Sequence, residues 1–150
     1  MTTIITKPFE TDDAKVKQMS FLSTLWIFVT LNFVYCDVVT LFSYVTTKST
    51  INYNQGFLLG AAVLVEIPIS MVLLSRVLKY RSNRWANIIA GAVMTVVQTV
   101  TLFVGTPAIY YVFFSVIEIG TTAFIVWYAW KWDPVSRASA LGIAQISPNV

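Results

Sequence analysis

Residues 21–44 read FLSTLWIFVTLNFVYCDVVTLFSY, an apolar run that contains the polar residues Asn32 and Asp37. A helix needs about 20 predominantly apolar residues to cross the roughly 30 Å hydrocarbon core of a bilayer. The run is long enough for one crossing. Because backbone groups in lipid must form hydrogen bonds within their own segment, the sequence predicts a membrane-crossing helix here.

Three further apolar runs follow, at residues 56–78, 85–104 and 108–130. Each is again about 20 residues long and fits one crossing. Ser82 and Asn83 stand just before the third run and are expected to cap its helix. The sequence therefore predicts an all-α membrane protein, a bundle of four transmembrane helices.

The composition agrees with a chain whose solvent is largely lipid. Charged residues make up 11% of the chain, against about 25% in a typical soluble domain, and 57% of the residues are hydrophobic. One cysteine and no histidine exclude an intrachain disulfide and argue against a haem or zinc site and a histidine-based triad. The sequence excludes a soluble enzyme, a secreted disulfide domain, a disordered tail and a coiled coil. It predicts no cofactor, metal, catalytic residue or nucleic-acid partner.

Basic residues predict the orientation of the chain. Nine of the ten Lys and Arg residues fall before the first span, in the turn between the second and third spans, or after the fourth, while Lys48 is alone on the other side. Because loops rich in Lys and Arg stay in the cytoplasm, both termini are expected there, with the chain in the inner (plasma) membrane and the bilayer as its partner. The expected division is a cytoplasmic arm at residues 1–20, a membrane domain at residues 21–132 and a cytoplasmic tail at residues 133–150.

Two short echoes indicate an internal repeat. DVVTLF at residues 37–42 resembles QTVTLF at residues 98–103, and VEIP at residues 65–68 resembles IEIG at residues 117–120. The spacing suggests two helical hairpins repeated in parallel. Apolar echoes of this length also arise by chance in membrane helices, so both interpretations stay open.

Each predicted span carries one strongly polar residue at a similar depth. Three are carboxylates, Asp37, Glu66 and Glu118, and the fourth is Gln98. At 1.5 Å per residue, the two glutamates fall near the middle of their spans, and the other two lie about one turn further out. The sequence therefore predicts one polar slab across the membrane domain.

Helical spacing extends these positions into stripes of polar and small residues. The stripes, from the first span to the fourth, are Thr30, Asp37, Thr40 and Tyr44; Ala62, Glu66 and Ser70; Gly91, Thr95, Gln98 and Thr101; and Tyr111, Ser115, Glu118 and Thr122. Large apolar residues dominate the other faces. We therefore expect the four stripes to face one another inside the bundle.

A charged Asp at the centre of a membrane helix costs roughly 2.5–3.5 kcal/mol on insertion scales, and three carboxylates without a buried cation would repel one another. Either some of them carry a proton, or a cation, an amine-bearing ligand or water occupies the centre. We expect an acidic cavity that binds protons or a cationic small molecule, with transport as its role. The candidate ligand- or proton-binding residues are Asp37, Glu66, Gln98, Tyr111, Ser115, Glu118 and Thr122.

Two other functions stay open at the level of the sequence. A non-catalytic structural or accessory subunit would use protonated carboxyl groups only to hold helices together, through hydrogen bonds worth about 0.6 kcal/mol on average. A membrane enzyme acting on a lipid-soluble substrate would need a lateral opening beside Glu66 or Glu118. Asn32 points away from the stripe of its span and is expected to bond a neighbouring helix or a second copy, which makes a homo-oligomer a further expectation.

Several stretches resemble a known family. They are LSTLW at residues 22–26, NRWANIIAG at residues 83–91, YVFFSVIE at residues 111–118 and IVWYAWKW at residues 125–132, together with the acidic Asp37. The chain is similar, over about residues 20–133, to a family of small four-span bacterial membrane proteins of unknown function. The resemblance implies four spans and the placement of Glu118 in the last of them, and it implies no activity.

Overall fold

The structure, a computed structural model, describes residues 8–47, 54–103 and 107–131, with side chains from residue 15 onward. These residues form four helices and no strand: α1 (Pro8–Thr47), α2 (Gln55–Val77), α3 (Tyr80–Leu102) and α4 (Ile109–Trp130). The predicted all-α four-helix fold is confirmed. The predicted tail and the first seven residues of the predicted arm lie outside the described part of the chain.

All four helices are long and apolar enough to cross a membrane, by their length and composition. α1 is the longest, with 40 residues, and it continues without interruption from the predicted arm into the first span. The predicted boundary near residue 20 is therefore not a break in the helix. The other three helices begin and end within a few residues of the predicted spans, except that α3 begins earlier.

The start of α3 differs from the prediction. Only Leu78 and Lys79 separate α2 from α3, and Lys79 is the N-cap without a side-chain hydrogen bond to the helix. The prediction that Ser82 and Asn83 cap this helix is wrong. Because the turn is so short, the helix already includes both residues, and the Asn83 side chain is buried instead.

One face of α1 supplies much of the apolar core. Its buried residues Leu22, Trp26, Val29, Phe33 and Cys36 follow alternating steps of four and three, which place side chains on one side of a helix. The first four belong to one hydrophobic cluster that also contains Met71 of α2, Ala90 and Met94 of α3, and Ile125 of α4. α1 thus supplies half of the buried residues of this cluster.

The pair α3–α4 makes the most extensive helix contact. At Gly91 the backbones approach so closely that a Cβ atom would lie 3.2 Å from the backbone oxygen of Thr122. The hydroxyl of Thr95 donates to the hydroxyl of Thr122 at 2.8 Å, and Nε2 of Gln98 donates to Oγ of Ser115 at 2.8 Å. Small residues and hydrogen bonds between helices hold helices together in lipid. The predicted inward stripes of these two helices are therefore confirmed.

A buried polar network joins α1, α2 and α3 near the α2–α3 turn. Nε1 of Trp26 donates to Oδ1 of Asn87 at 2.7 Å, and the hydroxyl of Ser75 donates to the same oxygen at 3.3 Å. Asn87 donates in turn to the Asn83 side chain at 2.6 Å, and Nδ2 of Asn83 donates to the backbone oxygen of Ser75 at 2.7 Å. All four side chains are fully buried. Their hydrogen bonds offset the cost of that burial and fix this end of the bundle.

The inward face of α2 is not the predicted one. Its buried residues are Pro68, Met71 and Ser75, whereas Glu66 is exposed. The reason is that α2 packs through its second half, where Met71 joins the apolar core and Ser75 joins the polar network. Gln55 to Val63 are exposed throughout. The prediction that Glu66 faces the bundle interior is therefore wrong.

Replacing Gly91 by Ala should destabilise the bundle. The new Cβ would lie 2.7 Å from Cγ2 of Val126 and would push the two backbones apart, at a cost of about 1–3 kcal/mol typical of overpacking. Gly120 is the matched control, because no atom lies within 4 Å of its hypothetical Cβ. Thermal unfolding in detergent should show a lower melting temperature for Gly91→Ala and an equal or higher one for Gly120→Ala, since Ala favours helix over Gly. Equal melting temperatures for the two variants would contradict the close approach.

Candidate functional site

A cleft of about 420 Å³ lies between the helices, toward the end of the bundle opposite the α2–α3 turn. Residues of all four helices line it. Pockets that hold small molecules have volumes of about 300–1,000 Å³, so the cleft is large enough for a small ligand. Four of the seven predicted site residues line it: Asp37, Gln98, Tyr111 and Glu118.

Glu118 is the most unusual group in the cleft. Its side chain is 1% exposed, and neither carboxyl oxygen has a hydrogen-bond partner among the described residues. Leaving a buried polar group unpaired costs about 1–3 kcal/mol, and more when the group is charged. The fold therefore holds a carboxyl group at the wall of a cleft without satisfying it.

The hydroxyl groups next to Glu118 along α4 lie against α3. Ser115 and Thr122, one turn to either side on α4, are buried, and their hydroxyl oxygens accept hydrogen bonds from Nε2 of Gln98 and the hydroxyl of Thr95 on α3. The Thr122 hydroxyl also donates to the backbone oxygen of Glu118, not to its carboxyl group, at 2.8 Å. The predicted site residues Ser115 and Thr122 thus flank the cleft residue Glu118 but do not line the cleft themselves. Their part in the site is to hold α4 against α3.

The cleft is lined by acidic side chains. Asp37 and Glu118 are the acidic residues in its lining, and no Lys or Arg occurs among the described residues that line it. Phe33, Phe57 and Tyr111 contribute aromatic side chains. A cation is attracted both by carboxylates and by the faces of aromatic rings. The lining therefore suits a positively charged guest with an apolar body.

Glu66 lies apart from the other two carboxylates. It is exposed on α2 and does not line the cleft, and its hydrogen-bond partner is the Ser70 hydroxyl on the same helix, at 3.5 Å. The structure therefore brings together two of the three predicted carboxylates. Whether the predicted set binds a ligand stays a prediction.

Several residues at and near the cleft were not predicted from the sequence. Cys36, which is not among the predicted site residues, is buried and lines the cleft beside Asp37. Phe33 stands four residues before Asp37, and Phe57 stands three residues before Gly60, so each pair lies on one helix face. Because Asp37 and Gly60 line the cleft, the two phenylalanines could have been expected there as well. The network of Trp26 and Asn87 was also missed, although Asn83 and Asn87 stand four residues apart, a spacing that places both on one helix face.

No cluster of three or more His, Cys, Asp or Glu residues that could hold a metal ion occurs among the described residues. The chemistry that the cleft offers is that of two carboxyl groups, an amide, a thiol and a phenol. These groups can bind a cation or exchange a proton.

Comparison with protein families gives one match. The sequence pattern of DUF6326, a family of unknown function, covers residues 6–139. The chain belongs to this family. The DUF6326 match spans all four helices from α1 to α4, so the predicted resemblance to a family of unknown function is confirmed. Comparison with curated proteins and with solved structures finds no match.

Replacing Glu118 by Met should raise the stability of the bundle, because Met has a similar length and leaves no buried polar group without a partner. The expected gain is about 1–3 kcal/mol, measured as a higher melting temperature in detergent. Gln98→Leu is the matched control, since it removes the hydrogen bond to Ser115 and should lower the melting temperature. A lower melting temperature for Glu118→Met would show that the carboxyl group already has a stabilising partner.

Proposed function

We propose that the protein is an integral membrane protein whose acidic cleft binds a small organic cation and releases a proton from Glu118 in exchange. The observation that carries this proposal is the buried carboxyl group of Glu118, which lines the cleft and has no hydrogen-bond partner among the described residues. A guest that supplied a positive charge would offset part of the cost of burying that group as a carboxylate.

The length and hydropathy of the four helices support the membrane placement. Arg76, Lys79, Arg81 and Arg84 gather around the α2–α3 turn, and the other turns between spans hold only Lys48. By the positive-inside rule, this turn and both termini lie on the cytoplasmic side of the inner membrane. The cleft then lies in the half of the membrane domain that faces away from the cytoplasm.

The cleft favours one class of guest, an ammonium ion with apolar substituents. Asp37 and Glu118 supply negative charge, and Phe33, Phe57 and Tyr111 supply rings that attract a cation through their faces. Small and aliphatic residues of α2, among them Gly60, Ala61 and Leu64, form an apolar wall. An anionic guest would be repelled by the Asp37 carboxylate and would find no basic side chain among the described residues of the lining.

The exchange of the Glu118 proton for an organic cation follows from charge balance in apolar surroundings. Without a guest, Glu118 is held as the neutral acid, since a lone carboxylate buried in apolar surroundings is costly. When an organic cation enters, the carboxyl group gives up its proton and the resulting carboxylate pairs with the cation. One positive charge enters the cleft as one leaves, so the net charge of the buried site does not change. This exchange would allow transport of a cation against a proton gradient.

The purified protein should bind benzyltrimethylammonium and release protons into a weakly buffered solution as it does so. Its uncharged isostere, neopentylbenzene, has the same shape and should bind much more weakly. Glu118→Gln should lower the affinity for the cation by at least about tenfold, which corresponds to roughly 1.4 kcal/mol, and should abolish proton release. Isothermal titration calorimetry in two buffers of different ionisation enthalpy measures both quantities.

Glu66→Gln is the control for this experiment, because Glu66 lies outside the cleft. It should leave both affinity and proton release unchanged. Equal binding of the cation by native protein and by Glu118→Gln would remove the proposal. It would favour the alternative in which the carboxyl groups serve only the packing of the bundle.

The proposed membrane orientation has its own test. A green fluorescent protein fused to the C-terminus should fluoresce in bacterial cells, because this reporter folds in the cytoplasm. A periplasmic reporter such as alkaline phosphatase at the same position should be inactive. The fusion protein should stay in the membrane fraction after washing at alkaline pH. An active phosphatase would contradict the orientation, and release by the wash would contradict membrane insertion.

A further inference from the structure

Glu66 is a carboxyl group that the described chain leaves facing outward. It is exposed near the middle of α2, and the Ser70 hydroxyl at 3.5 Å is a distant partner on its own helix. With 3.6 residues per turn, Glu66 points roughly 160–180° away from Leu64, Pro68 and Ser75. Those residues face α1 and α3, since Pro68 and Ser75 are buried and Leu64 packs against the core. Glu66 is therefore on the side of α2 turned away from the bundle.

This position conflicts with the proposed membrane placement unless another protein surface covers it. A polar or ionisable residue inside a membrane almost always faces protein or water, because hydrocarbon offers no hydrogen bond. Asn32 on α1 has a hydrogen-bond partner within its own helix, because its Nδ2 donates to the backbone oxygen of Phe28 at 2.9 Å. Glu66 makes no comparable hydrogen bond within the described residues.

The surroundings of Glu66 allow another helix to approach. Ala62 and Ser70 stand one turn before and after it, and both are small. Leu59, Val63, Ile69 and Leu73 border this stripe and are exposed. Small residues at a spacing of four let helix backbones come close in membranes, and large apolar residues beside them supply the packing.

The face of α2 that carries Glu66 is chemically complementary to the same face of a second copy of the chain. A carboxylic acid in its neutral form has one donor and one acceptor, so two such groups can pair through two hydrogen bonds. A two-fold axis brings the same residue of both chains together, which places Glu66 against Glu66 and Ser70 beside it. A basic partner would leave one buried charge pair, whereas a second copy satisfies both acids without any charge.

We propose that α2 is the interface of a homodimer, in which the Glu66 carboxyl groups of two copies bond to each other across a two-fold axis. The inference rests on the membrane placement proposed above and not on the cation cleft. The inward face of α2 lines the cleft and the outward face forms the dimer contact. Two copies would therefore carry their clefts on opposite sides of the shared α2 pair.

Cysteine cross-linking in membranes tests this contact. The single native cysteine is replaced in a Cys36→Ala background, and Ala62→Cys places a thiol one turn from Glu66. Copper phenanthroline should convert this variant to a disulfide-linked dimer. Val96→Cys, on an exposed position of α3, is the matched control and should stay monomeric.

The role of the carboxyl group is tested in the Ala62→Cys protein. Glu66→Gln keeps a donor and an acceptor, so cross-linking should persist. Glu66→Leu removes both, and the dimer fraction should fall at least about fivefold. Circular dichroism should show the same helix content in both variants, because the Glu66 side chain is exposed and is not part of the hydrophobic core.

Three results would overturn the inference. They are equal cross-linking in Glu66→Leu, equal cross-linking of Val96→Cys, and cross-linking of Ala62→Cys to a different protein instead of a second copy. Release of the native protein from the membrane by an alkaline wash would instead overturn the membrane placement itself. Cation binding is measured separately and can succeed or fail whatever the dimer result.

Discussion

The close approach of α3 and α4 at Gly91 is the constraint on which the arrangement of the cleft depends. Because Gly91 has no side chain, the two backbones come near enough for Thr95 to bond Thr122 and for Gln98 to bond Ser115. These bonds turn the side chains of Ser115 and Thr122 toward α3, and the Thr122 hydroxyl donates to the backbone oxygen of Glu118. The carboxyl group of Glu118 lies between them, buried at the wall of the cleft and without a hydrogen-bond partner among the described residues.

The two ends of the bundle differ in how their polar groups are treated. Near the α2–α3 turn, Trp26, Ser75, Asn83 and Asn87 satisfy one another, and α1, α2 and α3 are held together. Toward the opposite end, the first half of α2 has no buried residue, and the space beside it is the cleft. A satisfied polar network is rigid, while an unpaired carboxyl group and an apolar wall leave room for a guest. This division is what a binding site on a fixed support requires.

The predicted pattern was most successful where packing is tightest. Gly91 and Gln98 of the α3 stripe are buried, and so are Ser115 and Glu118 of the α4 stripe, as the helical spacing indicated. The prediction was wrong for Glu66, because α2 turns the face with Pro68 and Met71 inward instead. Glu66 and Glu118 occupy matching positions in the short sequence echo, yet one is exposed and the other buried. The echo therefore does not predict equal surroundings for the two hairpins.

The sequence by itself determined that the chain forms four long apolar helices and that each has a strongly polar residue at a similar position along its length. Both properties follow from composition and spacing along a single helix, and they do not depend on neighbours. Only the tertiary structure decided which polar residues meet. The rotation of a helix about its own axis is set by contacts with other helices, and for α2 those contacts are made by Met71 and Ser75. A carboxyl group placed by depth alone can therefore end in a cleft, as Glu118 does, or on the outer surface, as Glu66 does.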